Sequence, residues 1–332
     1  MTLSVLYGCD ENYAPYTGVS MTSLFENNQD VERIVVYLAS MGISEANIQR
    51  FQQIAEQYDR ELVVLDTELA QKKIAEYRCG SWNGSIAAWL RFFVLDQIPE
   101  DVDFLVWLDS DTIVLSGIER IVDQINIAKC PIAAAIDCLS IIQKNRLGLM
   151  PNEPYYNSGV IVFNLTLWRH ESTQEKMLRH LQQNVERYKI PDQDMMNDFF
   201  RGKICRLPPQ YNAQCFLNAY RTEDYFSVYP WPTGAYYSPE QIEAAKQSPV
   251  VVHFFRFLGD YPWQRGNNYH PAKSLYESWK AKSLWKDDTG AAPRTELSFR
   301  AEKMLYRLLP RKAFLRVFAW YTNRGLPKEP IE

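Results

Sequence analysis

Phe104-Leu-Val-Trp-Leu-Asp109-Ser-Asp111 decides how this chain is read. Five consecutive apolar residues describe a buried strand that delivers two carboxylates, spaced i and i+2, at its end. In extended backbone those two positions point to the same side, so both can face one cation. Hard carboxylate oxygens suit Mg²⁺ or Mn²⁺, and a site with few protein ligands leaves positions open for substrate phosphates. The alternative is a helix cap or a turn, since Asp-Ser-Asp-Thr serves as either.

Outward from that strand, apolar runs alternate with helical patterns. Leu3–Tyr7, Arg33–Ala39 and Glu61–Leu65 read as strands upstream; Tyr13–Phe25, Ser44–Tyr58 and Ser85–Gln97 read as helices. Such alternation predicts a Rossmann-like, mostly parallel sheet flanked by helices, with the ligand at the carboxyl ends of the strands. Downstream, Ile132–Asp137, Gly159–Asn164 and Val250–Phe255 read as strands, and Glu171–Tyr188 and Asp192–Phe200 as helices. Tyr220–Ser238 is rich in Tyr and Pro and reads as a long ordered loop.

With 332 residues, 46% hydrophobic and 23% charged, the chain is that of an ordinary folded protein, and its net charge of −4 argues against a nucleic-acid binder. Cys9, Cys79, Cys130, Cys138, Cys205 and Cys215 show no CxxC spacing and read as scattered thiols of a reducing compartment. The opening MTLSVLYGCD carries no basic, apolar leader, and no run of 18 apolar residues occurs, so a cytoplasmic protein is expected.

Two further stretches carry candidate chemistry. His253 ends the run Pro249-Val-Val-Val-His253, where a strand would carry it to the same rim; joined to Asp109 and Asp111 it makes an O,O,N set that fits Mn²⁺ better than Mg²⁺. A hydrogen-bonded core histidine is the alternative. Tyr7-Gly8-Cys9-Asp10-Glu11-Asn12 places a strand, a glycine that admits a ligand to the backbone, and then polar side chains suited to a nucleoside. It is not a GxGxxG fingerprint, and Asp10 or Asn12 could equally cap the following helix.

The ordered set Cys9-Asp10-Glu11-Asn12-Tyr13, Trp89-Leu-Arg91, Leu108-Asp109-Ser110-Asp111, Tyr156-Asn157-Ser158-Gly159, Asp192-Gln193-Asp194-Met-Met-Asn197 and His253 resembles glycosyltransferase family 8. These are retaining galactosyl- and glucosyltransferases with a GT-A fold, and the resemblance covers about residues 3 to 263. It implies UDP-galactose or UDP-glucose as donor and a saccharide or glycolipid acceptor. Asp10 and Asn12 would contact uracil and ribose, with Gly8, Cys9 and Ser110 at the same nucleotide site. Asp109, Asp111 and His253 would hold Mn²⁺ (or Mg²⁺). Arg91, Asn157, Ser158, Asp192 and Gln193 would line the donor sugar, and Asp137 would reach the sugar or acceptor. Relatives follow the metal histidine with Gly and a diphosphate-binding Lys; here the segment is His253-Phe-Phe-Arg256-Phe-Leu-Gly259-Asp-Tyr261, with Tyr261 at the Lys position. Arg256 or Arg265 would then meet the phosphates, with Gly259 at the same donor site. A weakened or non-catalytic nucleotide-sugar binder is a second reading; a sugar nucleotidyltransferase is a third, disfavoured by the lack of a Gly-rich basic loop after the first strand.

The mean charge hides an asymmetry. From Arg294 to Glu332 nine Lys/Arg stand against four Glu, so this end carries +5 and the rest −9. Phe299–Tyr321 interleaves aromatic and aliphatic residues with Arg and Lys, and Pro310 splits it into two short helices. This pattern predicts an interfacial segment on an anionic membrane; a helix packed on the catalytic domain is the alternative. The expected organisation is a catalytic domain over 1–285, a linker over 286–298 and a basic tail over 299–332, peripheral on the inner face of the plasma membrane.

Overall fold

In a computed structural model, which describes residues 2–82, 84–124, 127–138, 141–214, 218–229, 231–232 and 234–323, the strand Phe104–Leu108 lies in the middle of a seven-stranded sheet. The strands are β1 (Thr2–Asp10), β2 (Arg33–Met41), β3 (Glu61–Leu65), β4 (Phe104–Leu108), β5 (Thr112–Val114), β6 (Ile132–Ile136), β7 (Tyr156–Asn164), β8 (Ile204–Arg206), β9 (Ala213–Gln214) and β10 (Val251–His253). The large sheet has the order β3-β2-β1-β4-β7-β6-β8. The chain steps outward from β1 to β3 and then returns to β4 on the other side of β1. That reversal opens a crevice at the carboxyl ends of β1 and β4. Asp10 and Asp109 stand on its two sides.

In this sheet β7 runs opposite to its neighbours β4 and β6, while the other pairings are parallel. The consequence is positional. A residue at the start of β7 shares a rim with residues at the ends of β4 and β6: the Asp109 amide bonds to the Gly159 carbonyl at 2.8 Å and the Asp137 amide to the Tyr155 carbonyl at 2.7 Å. A second, three-stranded sheet, β5-β10-β9, crosses the same end. Its register pairs His253 with Thr112 and with Gln214. Antiparallel pairing of β10 with β5 therefore seats His253 beside Asp111.

The main core is built from β1, β2, β4, β6 and β7 with the helices Ala14–Glu26 and Glu45–Gln57 against them. The expected strands all form, with β1, β2 and β7 longer than expected and β10 shorter. The segment 85–97 breaks into a 3₁₀ turn (Ala87–Trp89), a short helix (Leu90–Phe93) and another 3₁₀ turn (Leu95–Gln97). Leu90 through Leu95 are all buried, so the segment has no polar face to keep a regular amphipathic helix in register. The stretch 171–188 holds a helix over Thr173–Asn184, preceded by Ser172 in the left-handed region at φ 51°. Within the stretch expected as loop, Thr222–Val228 is helical.

The cysteines correct a sequence expectation. Cys130, just before β6, and Cys205, in β8, form a disulfide across the parallel β6–β8 pair, so the chain is not a set of scattered thiols. Cys9, Cys79 and Cys138 are free, and Cys215 lies outside the described residues.

The end of the chain is tied to the body. The segment 286–296 is irregular, yet it lies along residues 260–265. The Arg265 amide donates to the Ala291 carbonyl at 2.9 Å and Gln264 Nε2 to the Ala292 carbonyl at 3.0 Å. Helices Leu297–Leu308 and Arg311–Asn323 follow, parted at Pro310 as expected. Phe314 and Leu315 are buried, and Phe314 packs with Phe257 and Leu258 while Leu297, Met304, Leu308, Val317 and Trp320 remain exposed. Residues 324–332 lie outside the described residues. No described helix is long and apolar enough to cross a membrane.

The cross-link closes a loop of 75 residues. Serine at Cys130 or Cys205 should lower stability by about 2–4 kcal/mol in denaturant unfolding. Thiol titration of the unfolded, unreduced protein should count two fewer thiols than after reduction.

Candidate active site

A cleft of about 940 Å³ opens at the shared rim. It is lined by Gly8, Cys9, Asp10 and Asn12 from the end of β1, by Arg91, and by Asp109, Ser110 and Asp111 after β4. Asp137, Asn157, Ser158, Asp192, Gln193, His253 and Arg256 complete the wall. Residues spread over most of the chain thus meet in one place. Of the site residues read from the sequence, Gly259 does not line the cleft, and Arg265 is exposed outside it.

Asp109, Asp111 and His253 each offer a ligand atom within 4.8 Å of the other two. His253 Nε2 lies 3.2 Å from Asp111 Oδ1 and 3.8 Å from Asp109 Oδ2. The tautomer of His253 follows from a chain of obligate donors. The Gly159 amide can only donate, and it donates to Asn157 Oδ1 at 2.9 Å. The same oxygen accepts from Asn212 Nδ2 at 2.7 Å, which leaves Asn212 Oδ1 facing His253 Nδ1 at 3.0 Å. Nδ1 must then carry the hydrogen, and the Nε2 lone pair points at the two carboxylates. Two carboxylates and a correctly presented imidazole are the donor set that a hard-to-borderline divalent cation such as Mn²⁺ accepts. Gly159 is required here by space: a Cβ on it would fall 2.1 Å from His253 Cε1.

The electrostatics demand positive charge at this point. Burial pushes the Asp109 carboxyl up; Arg91 opposes this, and Asp111 adds to it. Burial disfavours the His253 imidazolium, yet the Asp111 and Asp109 carboxylates outweigh it and raise the imidazole above its ordinary value. A proton on His253 or a divalent cation between the three groups answers the same field.

Arg91 is buried, and each of its three nitrogens donates within the protein. Nη2 donates to Asp109 Oδ1 at 2.9 Å, Nε to the Ala88 carbonyl at 2.7 Å and Nη1 to the Ser158 carbonyl. Its Nε is 3.4 Å from Asp192 Oδ2, and its guanidinium lies 4.4 Å over the Trp107 ring. Arg91 therefore positions Asp109 and Asp192 as much as it lines the cleft. Trp107 Nε1 also donates to Asp109 Oδ1, at 2.8 Å.

The amides opposite are equally fixed. The Ser158 amide donates to Gln193 Oε1 at 2.9 Å, so Gln193 Nε2 must be the group that meets Asp137 Oδ2 at 3.0 Å. Gln193 Oε1 also accepts from Asn157 Nδ2 at 3.1 Å. With both carbonyl lone pairs engaged, Gln193 is a fixed dipole. Asp137 collects bonds from Asn157 Nδ2 (2.9 Å) and Gln193 Nε2, and Ser158 Oγ donates to Asp192 Oδ2 at 3.0 Å.

At the β1 end, Asp10 Oδ1 accepts from the Tyr13 amide at 3.1 Å and its Oδ2 from Ser85 Oγ at 2.7 Å. It thus takes the turn-capping role and faces the cleft at once. Asn12 is exposed on the lip. Burial pushes the Cys9 thiol up to about 12, so a neutral side chain lies in the core. Ser110 Oγ accepts from Thr17 Oγ1 at 2.8 Å and holds the loop between the carboxylates. Arg256 lies 5.2 Å over the Tyr261 ring, so guanidinium and phenol share the cleft wall.

The sequence model described as Glycosyl transferase family 8 matches residues 4–266, the span that builds this rim. The chain belongs to glycosyltransferase family 8. It is a glycosyltransferase with the GT-A fold. Relatives include general stress protein A of Bacillus subtilis, 23% identical over 83% of this chain and 92% of its own. Lipopolysaccharide 1,2-glucosyltransferase of Escherichia coli K12 is 25% identical over 90% of this chain and 83% of its own. Among solved structures, galactosyltransferase LgtC with donor and acceptor sugar analogues matches at TM-score 0.64 and 20% identity, over 91% of this chain and 99% of that one. The bifunctional glycosyltransferase WbbM matches at TM-score 0.69 and 19% identity over 87% of this chain, which spans about half of WbbM's length (51%).

Sequence reasoning missed several supports of the family 8 site. Asn212 lies in no motif that was singled out, though it sets the His253 tautomer. Asp194 was quoted only as part of a motif, yet it is fully buried and anchors the Asp192–Gln193 turn. It accepts from the Lys189 amide (2.7 Å), the Ile190 amide (2.9 Å), Arg146 Nη2 (2.7 Å) and Tyr155 OH (2.7 Å). An acid two residues from a candidate donor-sugar ligand was the available signal for Asp194; Asn212 offered none. Asn212→Ala should weaken Mn²⁺ binding roughly 10- to 100-fold in calorimetric titration while circular dichroism stays unchanged, because the tautomer of His253 is then no longer set.

Proposed function

We propose that this protein is a metal-dependent, retaining hexosyltransferase that moves galactose or glucose from a UDP-sugar to a saccharide acceptor of a cell-surface glycan or glycolipid. The observation that carries this reading is the Asp109–Asp111–His253 cluster set against the fixed Gln193–Asp137–Asn157 network in one cleft large enough for a nucleotide sugar. The lipopolysaccharide glucosyl- and galactosyltransferases among its relatives support a lipopolysaccharide-type acceptor.

In this reading Asp10, Asn12 and the backbone of Gly8 and Cys9 bind the nucleoside. Asp109, Asp111 and His253 hold the divalent cation, preferably Mn²⁺, with Mg²⁺ as the lesser fit. When bound, the cation supplies Lewis-acid stabilisation to the departing diphosphate. Arg256 adds a guanidinium for the phosphates in place of the lysine that relatives carry, since its fork suits phosphate and it lines the cleft. Asn157, Gln193 and Asp137 orient the sugar hydroxyls. Gln193, with its oxygen already hydrogen-bonded, is a poor nucleophile, which favours departure and attack on one face of the sugar over a covalent intermediate on that residue.

Asp109→Asn should abolish Mn²⁺-dependent turnover of UDP-galactose or UDP-glucose, read as UDP release; unchanged turnover would sink the metal assignment. Arg256→Ala should raise KM for the UDP-sugar by about tenfold or more, with Arg256→Lys recovering part of it, as a lost charged hydrogen bond to phosphate predicts. A protein that binds UDP and Mn²⁺ tightly yet releases no product would instead be a nucleotide-sugar binder, the reading that Tyr261 in the lysine position motivates.

The basic tail supports a peripheral position on an anionic membrane surface. Its exposed face combines Leu297, Met304, Leu308, Val317 and Trp320 with Arg300, Arg307, Lys312 and Arg316. Trp320→Ala combined with Arg316→Glu should weaken cosedimentation with phosphatidylglycerol vesicles and leave binding to neutral vesicles low. Equal binding to both vesicle types by the unmodified protein would contradict the anionic-surface reading.

A further inference from the structure

The same tail that presents this apolar and basic face turns another side to the cleft. Glu302, from the helix Leu297–Leu308, and Phe318 and Tyr321, from the helix Arg311–Asn323, line the cavity that holds Asp137 and Gln193. Their neighbours in the wall are Tyr220, Tyr225 and Tyr229. Tyr229 places them relative to the sugar-side residues. Its phenol is pushed up by burial first, and then by several neighbours that include both Asp137 and Glu302. Glu302 raises Tyr220 as well, after burial. The tail carboxylate and Asp137 thus line the same cleft.

The tail is held in that position by several unlike contacts. Lys303 Nζ pairs with Asp260, whose Oδ1 also accepts from the Arg294 amide at 3.2 Å. Gly259, at φ +83°, presents its open face to Phe299; a Cβ there would fall 2.4 Å from the ring. Arg311 lies over the rings of Tyr220 (4.6 Å) and Tyr306 (4.8 Å) and donates to the Ala219 carbonyl. Tyr306 meets Phe257 edge-on at 5.5 Å. Lys303, the cation next to Glu302 in sequence, is thus committed to Asp260. Burial pushes the Glu302 carboxyl up, with Lys303 opposing this.

We propose that the C-terminal helix pair forms part of the acceptor subsite, with Glu302, Phe318 and Tyr321 joining Tyr220 and Tyr229 to bind a saccharide. This rests on the reading of the cleft as a sugar-transfer site. The chemistry selects the ligand class. Aromatic faces take the apolar C–H face of a pyranose, and a half-buried carboxylate accepts from its hydroxyls. Arg91 and Arg256 are the Lys/Arg side chains among the described lining residues; Arg91 is paired with Asp109 and Arg256 lies over the Tyr261 ring, so this wall suits a neutral sugar. The gain is coupling: the element that meets the membrane is also the element that meets the acceptor.

The test uses the full chain with Mn²⁺, UDP-galactose and UDP-glucose as donors, and lactose, methyl β-galactoside and methyl α-glucoside as acceptor probes. Glu302→Gln and Tyr321→Ala should each raise acceptor KM by about tenfold or more, as the loss of a hydrogen bond or a stacking face in a binding wall predicts, while UDP affinity stays within about twofold of wild type. Tyr321→Phe keeps the ring and should restore most of the acceptor KM lost in Tyr321→Ala. Acceptor KM unchanged in both variants would overturn the proposal. So would a parallel fall in UDP affinity, which would make the tail a structural support alone. A wild-type protein that binds no UDP in the presence of Mn²⁺ would defeat the donor reading itself, a result that calorimetry separates from either outcome.

Discussion

Gathering like charges in a buried place is the constraint on which the rest of this structure depends. Asp109, Asp111 and Asp192 converge at one rim, and burial alone would push a proton onto Asp109. Arg91 answers from within the protein by bridging Asp109 and Asp192, backed by the Trp107 ring below its guanidinium. His253 answers from the other side, with one nitrogen bound to Asn212 and the other left for the carboxylates. Three carboxylates against one guanidinium leave a demand for further positive charge in the open side of the cluster. A binding site for a cation is, in these terms, an incompletely neutralised core.

The scaffold meets this demand with backbone as much as with side chains. Reversal of β7 carries Asn157, Ser158 and Gly159 to the rim where β4 and β6 end. Their amides, which can only donate, then set the orientation of Asn157 and Gln193, and through Asn212 the tautomer of His253. Each amide side chain is held at both ends, so orientation is present before any ligand arrives. The short sheet β5-β10-β9 has a comparable role: its register is what puts a histidine from far along the chain beside Asp111.

The net charge of −4 is an average over two parts with different surroundings. Carboxylates outnumber Lys and Arg in the body, a few of them at the rim, whereas the tail carries the basic excess. Burial of Phe314 and Leu315 ties the tail to the body, while Trp320 stays 70% exposed. One side of the helix pair is packed on the body, as the first of the two readings expects, and the other side is exposed. An amphipathic pattern reports that an apolar face exists; it does not say whether protein or lipid covers it.

The parallel strands and the Pro310 break were legible because each depends on local pattern alone, an apolar run or a missing amide hydrogen; the carboxylate pair was legible too, although Asp109–Asp111 form the turn between β4 and β5 rather than extended backbone. The break-up of the helix expected over 85–97 was not, because burial of Leu90–Leu95 on all sides overrides local periodicity, whereas over 171–188 a helix does form, Thr173–Asn184, starting after the left-handed Ser172. Nor were the Cys130–Cys205 pairing, the Asn212 contact and the meeting of Glu302 with the cleft, since each joins segments distant in the chain. The sequence by itself determined which residue types stand at strand ends and so what chemistry the rim holds. Only the tertiary structure decided which of them touch, because contact depends on strand order, the reversal of β7 and the β10–β5 register, and these follow from packing the whole chain.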